Sequence, residues 1–145
     1  MTSFALQLAQ FAEKVGEDAD QVVGGVVIEL ARVIDERSPV GDAKFWKSSP
    51  PKGYVGGHFR ANWQLAIGSI PKGEVVGINF GAALAENVAR IPTEAAGPTY
   101  YLANNVPYAQ RLEDGWSRQA PVGLVGRTVI EFQDIVARKV AEVTA

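Results

Sequence analysis

The chain has 145 residues, of which 47% are hydrophobic. This predicts a single domain, residues 1–145, able to bury roughly two-thirds of its unfolded surface. Fourteen basic residues oppose sixteen acidic ones, so the overall charge indicates no general attraction to nucleic acid, and zero cysteines exclude disulfides and thiolate chemistry. No apolar stretch approaches the about 20 residues of a membrane span, so no membrane contact is expected.

A long amphipathic helix is predicted over residues 3–36, because apolar residues advance by threes and fours, near the 3.6-residue helical period. They are Phe4, Leu8, Phe11, Val15, Ala19, Val22, Val26, Leu30 and Val33. An unbroken helix would measure on the order of 50 Å. Two alternatives follow: part of the helix projects from the domain, or the glycines at 16, 24 and 25 allow a kink in a core helix.

Pro39 ends that helix, and residues 41–57 are predicted to form a long loop. The loop and the residues after it mix positive charge with aromatic rings, a composition typical of contact with single-stranded nucleic acid and also of protein interfaces. A partner-binding or partly disordered surface is the favoured interpretation, because loops this long more often have one of these two characters. The candidate DNA or partner residues are Lys44, Lys47, Lys52, His58 and Arg60.

A sheet with a short helix is predicted over residues 58–106, since apolar and polar residues alternate there with a period of two. The first strand runs from Phe59 to Ile67, the second passes through Val76, Ile78 and Phe80, and the third is Tyr100 to Asn104. The alanine-rich residues 82–91 predict a helix between the last two strands. A strand continuing from Phe80 is the alternative.

Two further helices complete the chain. Pro107 is suited to open a short helix over 107–115, which Gly115 would end in a left-handed conformation. A final helix over 121–143 carries a second apolar stripe: Val122, Val125, Val129, Phe132, Val136, Val140 and Val143. The simplest way to bury both stripes is to pack the two long helices on one face of an antiparallel sheet of about three to four strands, which makes the fold α+β.

Several residues recur in the order seen in a known family. They are Tyr101, Asn104, Asn105, Pro107, Tyr108, Ala109, Leu112, Glu113, Gly115, Trp116, Ser117, Gln119, Ala120, Pro121 and Gly123, with Arg37-Ser38-Pro39-Val40 and Arg60-Ala61-Asn62-Trp63 upstream. In these tracts the chain resembles the tail-component or neck proteins of long-tailed double-stranded-DNA phages, also called tail-completion or head-tail joining proteins. Family members commonly join the two upstream tracts by a short Asp-Thr-Gly-like link. Residues 41–58 intervene here, so the resemblance assigns that insertion no role.

The resemblance implies a virion structural protein of the neck or tail, assembled in the bacterial host cytoplasm. It also implies a ring matching the symmetry of the tail, with a hexamer as first choice, and contacts with other neck, connector, tail-terminator or tail-tube proteins. A ring repeats one surface against a different surface of the next subunit. Tryptophan, tyrosine and arginine commonly anchor interfaces. The candidate interface residues are Trp46, Tyr54, Tyr108, Arg111, Trp116 and Arg118, with core packing as the alternative for Tyr108 and Trp116.

Catalysis is not expected. His58 is the only histidine, and no serine lies in a nucleophile-elbow context such as Gly-x-Ser-x-Gly. The sequence contains no spaced metal-ligand pattern and no phosphate-binding glycine loop, so neither a metal nor a cofactor is expected. Two other hypotheses stay open: a DNA-contacting accessory protein of the connector channel, and a small hydrolase centred on His58.

Overall fold

The computed structural model describes residues 4–41, 56–115 and 120–145, apart from the side chains of residues 4–6, 11 and 12. In chain order, its elements are α1 (Phe4–Arg37), one 3-10 turn (Arg60–Asn62), β1 (Trp63–Ile67), α2 (Phe80–Ala89), β2 (Tyr100–Asn104), α3 (Ala109–Glu113), α4 (Val125–Ile130) and α5 (Phe132–Thr144). The mixture of a long N-terminal helix, a small antiparallel sheet and C-terminal helices confirms the predicted α+β class.

Helix α1 is continuous over 34 residues. Its second half is covered by the rest of the fold, with Val26, Ala31 and Ile34 buried. At its end the Ser38 hydroxyl donates to the Ile34 carbonyl at 2.6 Å, which satisfies one of the carbonyls that a helix leaves without a partner. Pro39 then prevents the helix from continuing.

The sheet is smaller than predicted: in the described part of the chain it has two strands, and the expectation of three to four is wrong. β1 and β2 pair antiparallel, from Trp63 opposite Asn104 to Ile67 opposite Tyr100. The other edge of β1 is occupied by the side chain of Asn87 from α2, which accepts from the Leu65 N–H at 3.1 Å and donates to the Trp63 carbonyl at 2.7 Å. A third strand therefore has no free edge of β1 to join.

The predicted third strand, Tyr100 to Asn104, forms as β2, whereas the residues of the predicted second strand, through Val76, Ile78 and Phe80, adopt other structures. Asn79 accepts a hydrogen bond from the Ala82 N–H at 3.0 Å and caps α2, so Phe80 is helical, and the alternative of a strand continuing from Phe80 is wrong. The predicted first strand is also shortened, because residues 60–62 form the 3-10 turn before β1 begins.

The predicted C-terminal helix is two helices, α4 and α5, that meet at Glu131. The Thr128 hydroxyl donates back to the Leu124 carbonyl at 2.7 Å, a bond that bends helices. Arg37 reaches from the end of α1 to the Thr128 hydroxyl at 2.8 Å and the Glu131 carboxylate at 2.5 Å. Both helices pack mainly on α1 instead of on the sheet.

The main hydrophobic cluster lies at the C-terminal end of α1. Its buried members are Ile34, Phe59, Trp63, Val106, Ala120 and Leu124. Phe59 and Trp63 meet edge to face, with ring centroids 5.8 Å apart, a favoured arrangement for aromatic pairs. This cluster joins α1, the sheet and the start of α4, and it positions the surfaces described next.

Candidate assembly surfaces

Residues 70–78, here called the exposed segment, link β1 to α2 without regular secondary structure. Side chains from the fold hold their backbone in place. Asn62 donates to the Val75 carbonyl at 3.1 Å and accepts from the Val75 N–H at 2.8 Å. Gln64 and Asn105 both donate to the Gly73 carbonyl, at 2.8 and 3.1 Å. Amide side chains thus form the hydrogen bonds to this backbone that a neighbouring strand would form in a sheet.

The same segment turns its apolar side chains to solvent. Val76 is fully exposed, and Ile70, Val75 and Ile78 are each more than two-fifths exposed. Several exposed apolar side chains within one short segment are typical of contact sites on soluble proteins. Because the backbone of the segment is already ordered, binding of a partner to these side chains would lose little conformational entropy.

A groove of about 300 Å³ runs beside the exposed segment, between it and α2. Ala61 and Gln64 contribute to its lining from the sheet side, and Glu86 and Arg90 from α2. Its size suits a few side chains of a docking protein, and Glu86 and Arg90 are the charged side chains in its lining.

A second apolar surface lies on α4 and α5. We call it the C-terminal face, and its exposed members are Val122, Val125, Val129, Phe132 and Val140, while Ile130 is exposed on another side of α4. At the helical period, most of the predicted stripe falls within an arc of about 80°. The side that packs against α1 is a different one, roughly 100° around the helices, and it carries Thr128 and Ile135. The expectation that this stripe is buried is therefore wrong for most of its residues, although Val136 and Val143 are partly buried.

A third surface is the first-helix extension, residues 7–19 of α1. Every residue described from 7 to 17 is exposed, including Leu8 and Val15. α5 runs antiparallel to α1, with Lys139 beside Gly25, so Thr144 lies about level with residue 20. The extension therefore continues beyond the end of α5. This agrees with the alternative in which part of the first helix projects from the domain.

Arg60 is engaged within the fold. Its guanidinium donates to both carboxylate oxygens of Asp35, at 3.1 and 2.9 Å, and lies 4.0 Å from the centroid of the Phe80 ring. Asp35 is buried. A bidentate pair of this kind fixes the end of α1 to the 3-10 turn and to α2, and it leaves Arg60 poorly placed to contact phosphate.

His58 also makes internal contacts. Its Nε2 lies 3.0 Å from the Glu74 carboxylate, and its Nδ1 lies 3.2 Å from the Gly77 carbonyl. Both partners belong to the exposed segment. The histidine thus adds to the bonds that hold this segment, which is a structural use of the residue that a hydrolase would need as its base.

Glu113, at the end of α3, caps the start of α4. Burial alone would raise the pKa of its carboxyl group, but hydrogen bonds from the backbone N–H groups of Gly126, Val125 and Leu124 outweigh that effect and hold the pKa below its ordinary value. Those bonds measure 2.9 to 3.1 Å. Gly115 has the left-handed conformation predicted for it, and a Cβ there would collide with the Pro121 carbonyl. Only glycine therefore allows α3 and α4 to approach so closely.

Of the predicted site residues, the structure describes His58, Arg60, Tyr108 and Arg111. The others lie outside the described residues: Trp46, Tyr54, Trp116, Arg118, Lys44, Lys47 and Lys52. The Tyr108 ring lies 6.3 Å from that of Phe59, and the residue is partly exposed, so its packing agrees in part with the core alternative, while its interface role stays a prediction. Arg111 is exposed on α3. The candidate interface and loop residues are therefore not seen together as one site.

Sequence reasoning missed the exposed segment and the outward orientation of the C-terminal face. A signal for the first existed: Gly73 and Gly77 flank Val75 and Val76, and both have positive φ, which interrupts a regular strand. For the C-terminal face, the apolar stripe alone does not indicate which side of the helices α1 will cover.

The described residues include no group of three or more side chains suited to hold a metal ion. Of the helices in the described ranges, none has the length and apolar character needed to cross a membrane. Comparison of the chain with protein-family models, curated proteins and solved structures finds no match.

Proposed function

We propose that this chain is a structural protein of a phage virion, located in the neck or tail, where it assembles as a ring and is needed for tail completion or head-to-tail joining. Its partners would be further copies of itself and the adjoining neck, connector, tail-terminator or tail-tube proteins. The starting point is the resemblance of its Arg-Ala-Asn-Trp and Asn-Asn tracts to neck proteins.

Support comes from what those tracts do in this chain. Arg60 binds Asp35, and Trp63 donates through its indole N–H to the Ser38 hydroxyl at 2.7 Å. Asn62 and Asn105 hold the exposed segment. These residues serve to build a scaffold and to order a surface, which is what an assembly protein requires of them and what a catalytic site would not.

The observation that carries the proposal is the exposed segment, an ordered backbone on which Val76 is fully exposed and the other apolar side chains are only partly covered by the described residues. Stable protein interfaces are centred on such apolar groups, surrounded by polar ones. A protein whose work is to hold neighbours together has a use for them, whereas a monomeric enzyme would expose them at the risk of aggregation.

The test is complementation of a phage that lacks this gene with Val76→Asp. Val76 contacts solvent, so the variant should fold like the wild type, while a charge at the centre of an apolar contact should block assembly. We expect infectious particles to fall at least about a hundredfold, consistent with a loss of about 3 kcal/mol or more at a hot spot, with separate heads and tails, or tails with faulty ends, visible by electron microscopy.

Lys72→Asp is the matched control, because it places the same charge on an exposed position of the same segment. It should complement nearly as well as the wild type. Intact infectivity of the Val76→Asp phage, or normal joined particles without the protein, would contradict the proposal.

The DNA-contacting alternative has less support, because Arg60 and His58 are engaged within the fold. It predicts salt-dependent DNA binding by the purified protein that is lost when Lys44, Lys47 and Lys52 are neutralised. A shallow or absent salt dependence would remove that alternative.

A further inference from the structure

The two strands of the sheet differ in what occupies their outer edges. The Leu65 N–H donates to the Asn87 side chain at 3.1 Å, and the Leu65 carbonyl accepts from Arg90 at 3.1 Å, so side chains of α2 occupy the outer edge of β1. Just beyond β1, the Gly68 N–H donates to the Thr99 carbonyl at 2.9 Å. Backbone groups alternate in direction along a strand, so the even-numbered residues of β1 face β2 and the odd-numbered ones face α2.

The register then fixes which backbone groups of β2 face outward. Tyr101 and Ala103 lie opposite even-numbered residues of β1, so they make the hydrogen bonds between the two strands. By the same alternation, the N–H and carbonyl groups of Tyr100, Leu102 and Asn104 point away from β1. They form the outer edge of β2.

This outer edge is open within the described ranges of the chain. There, β1 is the only element that runs alongside β2, and no hydrogen bond reaches the outward backbone groups. All five residues of the strand are partly exposed. Strand edges are commonly protected from pairing by charged residues, proline or a bulge. The segment Tyr100–Asn104 has no charge and no proline, and its register runs without a bulge, so the edge is suited to pairing.

The outward groups of β2 are complementary to those of a second β2. When two copies of the strand run antiparallel about a two-fold axis at Leu102, each Leu102 N–H donates to the Leu102 carbonyl of the other copy. Tyr100 and Asn104 of the two copies exchange the same pair of bonds, so every outward group of the strand gains a partner. On the face away from the core, Tyr101 then lies opposite Ala103 of the second copy, a large side chain beside a small one.

We propose that β2 of one copy pairs antiparallel with β2 of a second copy, which joins the two-stranded sheets of both into one sheet of four strands. A sheet of two strands is marginally stable alone, and added strands stabilise it. The contact is isologous, since the same edge serves both copies. It goes beyond the proposed function and uses a different surface from the exposed segment: it joins two subunits, or two stacked rings.

Cysteine cross-linking tests the pairing and its register, because the chain has no cysteine of its own. Tyr101 and Ala103 of the second copy form a non-hydrogen-bonded pair in this register, where Cβ atoms are close enough for a disulfide. A mixture of Tyr101→Cys and Ala103→Cys chains should therefore give a cross-linked dimer under mild oxidation. Each variant alone should stay uncross-linked, because identical positions lie diagonally across the axis, beyond disulfide reach.

A matched control replaces one cysteine by an exposed position on α5: Gln133→Cys mixed with Ala103→Cys should give no dimer. Circular dichroism checks that each variant is folded. Dimers from Tyr101→Cys alone would indicate parallel pairing and overturn the proposal. A mixture of Val76→Cys with Ala103→Cys tests the exposed segment as the competing strand, and dimers from that mixture alone would overturn the proposal too. So would folded Tyr101→Cys and Ala103→Cys chains that stay monomeric when mixed.

Paired charges give a second measurement, by sedimentation equilibrium. Tyr101→Lys with Ala103→Lys places like charges opposite each other between the copies, whereas Tyr101→Lys with Ala103→Glu places opposite charges there. The dissociation constant of the dimer should be about tenfold higher for the first variant. Equal dissociation constants would contradict the register. These outcomes are separable from the proposed function, because the Val76→Asp complementation test concerns another surface and reads particle joining.

Discussion

Two regions of this molecule contrast in how they place polar and apolar side chains. At the C-terminal end of α1, buried polar groups are all engaged: Asp35 with Arg60, Ser38 with Trp63, and Asn62 with the exposed segment. On the exposed segment and the C-terminal face, valine and isoleucine contact solvent. In the first region, polar side chains form hydrogen bonds and ion pairs that stabilise the fold. In the second, apolar side chains are exposed to solvent.

The contrast separates residues that hold the fold from residues available to a neighbour. Removing a side chain from the first region should cost stability, because a buried group loses its partner. Removing one from the second should cost assembly and leave stability nearly unchanged. The four changes below test this division, from the largest expected effect on stability to the smallest.

Arg60→Ala should lower the free energy of unfolding by about 3–5 kcal/mol, because it leaves the buried Asp35 carboxylate without its cation. Urea denaturation followed by tryptophan fluorescence measures the loss. Arg127→Ala is the control, since an exposed i,i+4 pair contributes under about 0.5 kcal/mol. Equal, small losses for both variants would show that Arg60 does not hold the fold.

Asn62→Ala should cost about 2–3 kcal/mol, because it removes the donor and the acceptor that satisfy the Val75 backbone. Faster amide hydrogen exchange should appear within residues 70–78. The exposed Gln133→Ala serves as the comparison variant. If exchange in the exposed segment is unaffected by losing Asn62, this side chain does not fix the segment.

Glu113→Gln should cost about 1–2 kcal/mol at pH 7, since charged acceptors make the stronger hydrogen bonds. The folded pKa lies below the ordinary value of 4.5, so the stabilisation by the carboxylate is complete above about pH 4.5 and is lost as the pH falls through the folded pKa. The gap between wild type and variant should therefore narrow in acid. A gap that is the same at pH 7 and pH 3 would contradict this cause.

Val76→Asp should change the free energy of unfolding by less than about 0.5 kcal/mol, because the side chain already contacts water. Denaturation beside the wild type measures it, and Leu124→Ala, in the buried cluster, should by contrast lose about 2–5 kcal/mol. A large loss at Val76 would mean that this residue is covered within its own fold.

Local patterns predicted some of these elements well and others poorly. The period of apolar residues located α1, β2 and the short α2 helix, because each of these elements is specified by its own sequence. The sheet was overestimated because Asn87, more than twenty residues from β1, occupies the edge where a strand would pair. No local rule anticipates a side chain replacing a strand.

The surfaces were harder to predict than the elements. The valine stripe of α4 and α5 looks like a core stripe, and only the three-dimensional packing shows that Thr128 and Ile135 face inward. The aromatic candidates were chosen by composition, and of these Tyr108 lies partly against Phe59. Exposed valine and isoleucine, less often chosen as anchors, form the surfaces that the fold leaves open.

Hydroxyl-radical footprinting of the isolated chain and of intact particles tests most directly whether these apolar surfaces hold the assembly together. The account predicts that Val76 and Val129 are oxidised readily in the isolated chain and at least several-fold more slowly in particles, while buried Leu124 is protected in both. Equal oxidation of the two valines in both states would contradict it.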